Sequence, residues 1–495
     1  MTQAPPPVSD FEGYLAYACS QLEVDVHLVI TRVQISPEPS RHTTARHEKK
    51  VSKVSTAGTK PEEPKETQTE NTDKVDKHRK IGLLSFRPTG DYTDEIENQV
   101  IVTTVYDHNT LVQIKFEKRI PREMLKIIGL ILPYQQTVTS LTLKKGLVHY
   151  TMHELRHFIP KMPALTELCF DGSYLAEANF EVLLDDPTNL RVLSLARCCI
   201  DDLVVEKIAE KISHRQAAKK LTALNLSTNR ITDIGAKHLA DALRRNRQLA
   251  YLNLNDNLIT DEGAKEIFDV LKPFPLTMEE VMAKKACYIK YLLKKMEIKS
   301  DSDDEEITKS KLSVSQSENN TKKASLNSVK TLQPNKRTDS AVSKESELLD
   351  EEFKYPFNKH NLINKEGLTY CLGNNNLVVL NLAYNDLSYL TLKKLKDVLD
   401  SQIELDRQPR GLMKVCIEGN NMPSSCQELD QIKEIFQCNE VVQEQKKKNS
   451  ATLKKKTKII LVWLVWARPS ATSSADWLPG RRRTPVSAAD ARYLY

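Results

Sequence analysis

The chain has 495 residues, 40% of them apolar and 28% charged, so a large share lies outside any single core. Its 72 basic and 66 acidic residues leave a net charge of only +6, which makes no case for the concentrated basic face that nucleic acid requires. The 9 cysteines contain no C-x-x-C pair, a pattern that favours a reducing interior over a disulfide framework.

The first residues, Met1-Thr2-Gln3-Ala4-Pro5-Pro6-Pro7, lack a basic start and an apolar run, so no secretory signal is expected. Residues 1–80 read as mostly disordered, with one helical patch at 11–33 and a Pro, Thr, Lys and Glu-rich linker from 36 to 80. Residues 81–137 read as the cap of a repeat array. Within them Ile114 and Phe116 suit a degenerate strand, and Pro121 suits the first turn of a helix through Leu132.

The clearest signal lies in residues 221–243 and 249–271, two similar blocks 28 residues apart. Leu221, Leu224, Leu226, Asn229, Ile231, Asp233, Gly235, Ala236, Leu239 and Leu243 recur as Leu249, Leu252, Leu254, Asn257, Ile259, Asp261, Gly263, Ala264, Ile267 and Leu271. A fixed period of this kind marks a repeat architecture of strand-plus-helix units. Weaker copies begin at Leu190, Leu165 and Val138, which sets the repeats at 138–272; Cys198 stands in one of them where the pair has asparagine. The inward leucines form the core. Asn229, Asn257, Asn385 and Asn420 are expected to satisfy backbone groups in the turn that leaves each strand. Gly235 and Gly263 are expected to let the backbone enter the following helix without a clash.

Residues 273–376 interrupt the array. Val281, Ala286, Ile289, Leu292, Leu293 and Met296 fall at helical spacing, which predicts a charged helix over 277–296. The rest of the insertion reads as disordered, its stretch 299–344 being rich in Ser, Lys, Asp and Asn. Within it, residues 300–306 resemble a substrate of acid-directed kinases and equally a solvated charge run.

The repeat returns at Leu377-x-x-Leu380-x-Leu382-x-x-Asn385 and at Leu412-x-x-Val415-x-Ile417-x-x-Asn420, so residues 377–437 hold the last repeats and a C-terminal cap. Residues 438–495 read as a basic disordered tail. Its lysine clusters at 446–448 and 454–456 suit polyanion binding or simple solubilisation. All three tryptophans fall there, an abrupt change that an alternative terminal exon would produce. The apolar run 459–467 is about half of the roughly 20 residues a membrane helix needs. No membrane span is expected, and the chain reads as cytoplasmic.

One motif invites a catalytic reading. His153-Glu154-Leu155-Arg156-His157 fits H-E-x-x-H, which on a helix places two imidazoles and a carboxylate together for zinc, with His149 as a third ligand. The repeat register opposes it, because Leu155 and Ile159 align with the inward Leu239 and Leu243 and turn both histidines outward. No phosphate loop, dinucleotide fingerprint or nucleophile elbow occurs. No catalytic residue, metal or cofactor is therefore expected. The outward middle position of each strand reads Thr142, Cys169, Ser194, Asn225, Asn253, Asn381 and Cys416, a shallow polar floor. With Lys144, Glu167, Asp171, Tyr251, Asp256 and Tyr384 around it, the candidate partner contacts are Lys144, Glu167, Asp171, Asn225, Tyr251, Asn253, Asp256, Asn381 and Tyr384.

The pair at 221–271 resembles the ribonuclease-inhibitor class of leucine-rich repeats. The order of parts over about residues 81–437 is similar to the leucine-rich repeat-containing protein 71 family. The parts concerned are Phe86-Arg87-Pro88-Thr89 ahead of the repeats and Leu243-Arg244-Arg245-Asn246-Arg247-Gln248-Leu249 between two of them. A charged helix and low-complexity insertion follow, then Leu380-Asn381-Leu382, and a last repeat with Pro423 and Cys426. The resemblance implies a non-enzymatic protein associated with the axoneme of motile cilia and flagella; residues 440–495 do not share the pattern. The expected fold is an α/β leucine-rich repeat solenoid, or horseshoe, with a parallel concave sheet and convex helices, interrupted by the insertion. The expected function is a monomeric scaffold that holds a protein partner on the concave face. Regulation of a small GTPase or an intracellular signalling adaptor role is the alternative.

Overall fold

The computed structural model describes residues 5–24, 26–35, 83–85, 99–144, 146–185, 188–213, 218, 220–314 and 356–449. The linker at 36–80, the Phe86–Thr89 tetrapeptide, the insertion from 315 to 355 and the tail from 450, including the run 459–467 and the tryptophans, lie outside those residues. The chain divides into two compact units, Met1–Ile432 and Lys433–Tyr495. All elements below belong to the first, apart from the last helix, which begins in the first unit and lies mostly in the second.

One sheet of 11 strands organises the first unit. It opens with β1 (His27–Gln34), which pairs with β2 (Leu83–Ser85) antiparallel and with β3 (Gln99–Asp107) parallel. A hairpin joins β3 to β4 (Thr110–Phe116) through His108 and Asn109, both in the left-handed conformation that a two-residue turn demands. From β4 onward every neighbour is parallel: β5 (Ser140–Leu143), β6 (Glu167–Cys169), β7 (Val192–Ser194), β8 (Ala223–Asn225) and β9 (Tyr251–Asn253). The repeat strands are short because each unit supplies one leucine-flanked segment before the chain turns. Their middle residues Leu168, Leu193, Leu224, Leu252 and Leu380 are 0% exposed. Burying each such leucine contributes roughly 1.5–3 kcal/mol.

The N-terminal region departs from expectation. The helical patch predicted at 11–33 is a helix only over α1 (Phe11–Gln21), and the rest enters the sheet as β1. Phe11, Leu15, Leu28 and Ile30, all within the patch expected to be helical, are buried in the core of the first layer. The aliphatic run of β1 is β-branched, which favours a strand over continued helix. Pro121 stands at the N-cap of α2 (Arg122–Ile131) rather than inside it, and α1 packs against α2.

Each later unit adds a helix behind the sheet. These are α3 (Thr151–Phe158), α4 (Asp202–Ser213), α5 (Asp233–Arg245) and α6 (Asp261–Asp269), with a 3-10 helix at Phe180–Leu184 in place of one α-helix. The insertion then leaves through β10 (Phe274–Pro275) and α7 (Met278–Val314). The helix exceeds the predicted 277–296 and continues to Val314, into the first part of the stretch taken for disorder. The chain returns in β11 (Leu362–Lys365) and β12 (Leu368–Cys371), which with β10 form a separate three-stranded sheet. That hairpin also falls where disorder was expected; Glu366 and Gly367 both take positive φ and make its tight turn.

After the insertion, β13 (Val379–Asn381) pairs with β9, placing Val379, Leu380 and Asn381 beside Tyr251, Leu252 and Asn253. The helix α8 (Tyr389–Leu405) packs against α6, and β14 (Lys414–Cys416) ends the sheet. The last helix, α9 (Gln427–Asn449), carries Lys446–Lys448 in what was expected to be unstructured tail.

Candidate functional site

Alternate residues of a strand face opposite sides, so the residues flanking each buried leucine form the other face of the sheet. Register places Thr142, Cys169, Ser194, Asn225, Asn253, Asn381 and Cys416 in one row across it. A second row holds Ser140, Glu167, Val192, Ala223, Tyr251, Val379 and Lys414.

These rows are more closed than a contact surface. Tyr251, Asn253 and Asn381 are 7%, 9% and 7% exposed. Asn253 accepts from the Asn255 N–H at 3.1 Å and Asn381 from the Ala383 N–H at 3.0 Å, so both amides hold the strand's own exit. Asn225 does the same for Ser227 and donates to Ser194 Oγ at 2.9 Å. Ser194 in turn donates to Asp171, which also accepts from the Ala196 N–H at 3.1 Å. Asp171 is thereby bound into the sheet. Burial drives the Cys169 thiol and the Tyr251 phenol up to about 12, and raises Glu167 above the usual carboxylate range.

The exposed candidates lie at one edge, where the chain turns out of each strand. Arg197, Asp256 and Tyr384 stand exposed there in one row, and Lys144 is exposed one position nearer its strand, level with Asp171. Gly172, Arg197, Thr228, Asp256, Tyr384 and Gly419 occupy equivalent places, and all have positive φ. Their N–H groups bond across to the following repeat, as Asp256 does to the Ala383 carbonyl at 2.9 Å and Tyr384 to that of Glu418 at 2.8 Å. Tyr384 lays its ring against Gly419, where no Cβ would fit, and remains 56% exposed on its outer side. The sequence reading missed Arg197; its place directly before the turn residue Cys198 was the available signal.

The turn asparagines bridge consecutive repeats. Asn257 donates to the carbonyls of Leu254 in its own repeat, at 3.0 Å, and Leu226 in the previous one, at 3.1 Å. Its Oδ1 accepts from the Ile231 N–H at 3.2 Å. Asn229 makes the same bridge to Leu195 and Leu226 and accepts from Cys198 and Ile200. Asn385 and Asn420 continue it to the end of the sheet. Where cysteine replaces asparagine, Cys198 Sγ still reaches the Phe170 carbonyl at 3.2 Å.

A second ladder of aspartates runs along the helix starts. Asp202 accepts from the Thr232 and Gly235 N–H groups at 2.8 and 3.0 Å, and Asp233 accepts from those of Thr260 and Gly263 at 2.7 and 3.0 Å. Asp261 receives Ser388 N–H at 2.9 Å together with the hydroxyls of Ser388 and Thr391. Neither helical glycine has positive φ. A Cβ on Gly235 would come within 2.5 Å of Asp202 Oδ1, so the glycines make room for the preceding repeat's carboxylate rather than for a backbone turn.

His153 and His157 lie exposed on α3, while Leu155 between them is buried. His153 is 3.3 Å from the Asn179 amide, and His149 bonds Glu177 at 2.9 Å instead of joining the other two. Among the described residues no His, Cys, Asp or Glu triplet could hold a metal ion. A cleft of about 410 Å³ between α4, α5 and the start of α7 is lined by Glu206, Glu210, Asp241, Glu279 and Glu280 against Arg244 and Arg245, with His238, so its charge is predominantly acidic. Among the described residues no helix is long and apolar enough to cross a membrane.

Comparison with known proteins follows the same repeat boundaries. No curated protein matches the chain. Three segments, residues 186–209, 217–240 and 245–268, match the family model described as Leucine Rich repeat, and each covers one strand and ends within the helix that follows it. Residues 186–268 therefore carry leucine-rich repeats, set in a mixed α/β unit with a parallel sheet.

Proposed function

We propose that this chain is a non-enzymatic scaffold that docks a protein partner along the strand-exit edge of its repeat sheet. Leucine-rich repeats are typically interaction modules, since stacked units offer one continuous surface. The carrying observation is a contrast within neighbouring repeats. Asn253 and Asn381 commit their side chains to the strand exit, while Asp256 and Tyr384 stand side by side and exposed. A tyrosine packed against Gly419, with a carboxylate beside it and Arg197 and Lys144 farther along, suits an aromatic anchor within a charged rim.

The order of parts shared with the leucine-rich repeat-containing protein 71 family supports reading that partner as axonemal. A small-GTPase regulator would gather free acidic groups at one edge. Here Asp171 is bonded to Ser194 and Ala196, which favours the scaffold reading. Proximity labelling in ciliated cells, comparing the parent with an Asp256→Asn/Tyr384→Asn variant, tests both levels. Asparagine tolerates the left-handed turn, so the variant keeps the fold. Axonemal neighbours in the parent that fall several-fold in the variant support the reading. Neighbours unchanged by the variant remove the edge, and neighbours outside the axoneme remove the ciliary assignment.

A further inference from the structure

We propose that α7 is a second docking element, which lays one apolar face into a hydrophobic, carboxylate-rimmed groove on a protein partner. This contact is separate from the sheet edge.

The start of α7 is fixed rigidly. Thr277 Oγ1 accepts from the Glu280 N–H at 3.2 Å, and Glu280 Oε2 accepts from the Thr277 N–H at 3.0 Å, a reciprocal capping pair. Arg244 on α5 then grips both oxygens of Glu280 at 2.8 and 2.7 Å, with its guanidinium 4.1 Å from the centre of the Phe274 ring. The helix is thereby held against the repeats at its first turn.

Beyond that turn it presents apolar side chains to solvent. Met278, Met282, Ile289, Leu292 and Met296 fall on one helical stripe, interrupted at its middle by Lys285, and all five are exposed, Ile289 at 57% and Met296 at 67%. The repeat helices do the opposite and bury Leu239 and Ile267 completely. A methionine-rich stripe at this spacing is suited to lying in a groove.

Charge selects the occupant. Lys284, Lys285, Lys290, Lys294 and Lys295 accompany the stripe, and between 278 and 296 the acidic residues are Glu279 and the Arg244-bound Glu280. Two copies meeting through this face would bring their lysines together. An anionic lipid surface would be opposed by the acidic run at 301–306 that follows in the sequence. A groove whose rim carboxylates answer the lysines suffers neither penalty.

The test uses the full chain and Ca2+-loaded calmodulin as a probe with such a groove. Micromolar binding is expected that disappears in EDTA. It should weaken at least tenfold in an Ile289→Gln/Leu292→Gln variant and several-fold in Lys285→Glu/Lys290→Glu, with helical circular dichroism unchanged in both. Absence of binding, or binding indifferent to both variants, overturns the proposal. So does co-sedimentation with phosphatidylserine vesicles, or a concentration-dependent dimer in sedimentation velocity that the Ile289→Gln/Leu292→Gln variant abolishes.

Discussion

The carboxylate of Asp233 accepts a hydrogen bond from the backbone N–H of Gly263 at 3.0 Å, so the first turn of one repeat's helix caps the first turn of the next. The same oxygen takes the Thr260 N–H, and the other oxygen takes the Thr260 hydroxyl at 2.7 Å. One side chain thus links α5 to α6. Replacing Asp233 with alanine should cost about 1–3 kcal/mol in urea denaturation. Gly263→Ala should cost roughly 1–3 kcal/mol, because its new Cβ would press on Asp233 and sit 2.9 Å from Ile259 Cγ2. The two effects should couple, with the alanine tolerated better once the carboxylate is gone. Equal penalties in both backgrounds would separate the glycine from the aspartate.

The strand-end and turn asparagines of two neighbouring repeats should behave differently. Asn257→Ala strands the Ile231 N–H and two carbonyls in a buried turn, and should cost roughly 3 kcal/mol or more. Asn225→Ala removes bonds at a partly open face and should cost about 1 kcal/mol. Leu252→Ala, at a fully buried site, should lie within about 2–5 kcal/mol. Comparable unfolding midpoints for the two asparagine variants would contradict this ordering.

Acid should loosen the anchor of α7. Burial opposes ionisation of Glu280, but its bonds from Arg244 and the Thr277 N–H outweigh burial and hold its carboxyl below the ordinary value of 4.5. A carboxylate depressed in the folded state contributes stability above its unfolded value and loses it as pH falls through the folded one. The denaturation midpoints of the parent and of Glu280→Gln should therefore differ at pH 6 and converge below about pH 4.5. A gap that does not shrink at all as pH falls below 4.5 would show that the charge is not what holds the helix.

Thiol labelling should divide the cysteines by position. Burial pushes Cys169 and Cys198 up to about 12, while Cys199 and Cys438 are exposed. At pH 8 an aromatic disulfide reagent should modify Cys199 and Cys438 in the folded protein, and Cys169 and Cys198 only on unfolding. Rapid native labelling of Cys198 would mean that its turn opens readily.

The array between residues 138 and 272 was legible because each repeat solves the same problem with the same side chains. An inward leucine and a turn asparagine recur at fixed offsets wherever a strand must bury one face and then bend. The N-terminal layer was not, because β1 pairs with strands far along the chain and its apolar run has no repeat partner. The hairpin at Leu362–Cys371 was hidden by the polar sequence around it, although Glu366-Gly367 is a recognisable two-residue turn. The site was half legible. Outward positions followed from strand alternation, but sequence could not tell which outward amides are consumed by neighbouring N–H groups. That depends on register, and it moved the emphasis from Asn253 and Asn381 to Asp256 and Tyr384.

The pairing of β9 directly with β13 has a consequence for how the gene product can vary. Because Ile259 and Asn385 meet as immediate neighbours, the interval between them is topologically a detour and the stack is blind to its length. Closing a detour of about 100 residues costs only about 2 kcal/mol more entropy than closing one of about 10. The segment between α7 and β11 can therefore lengthen, shrink or be exchanged as a cassette while the leucine column on either side keeps its alignment.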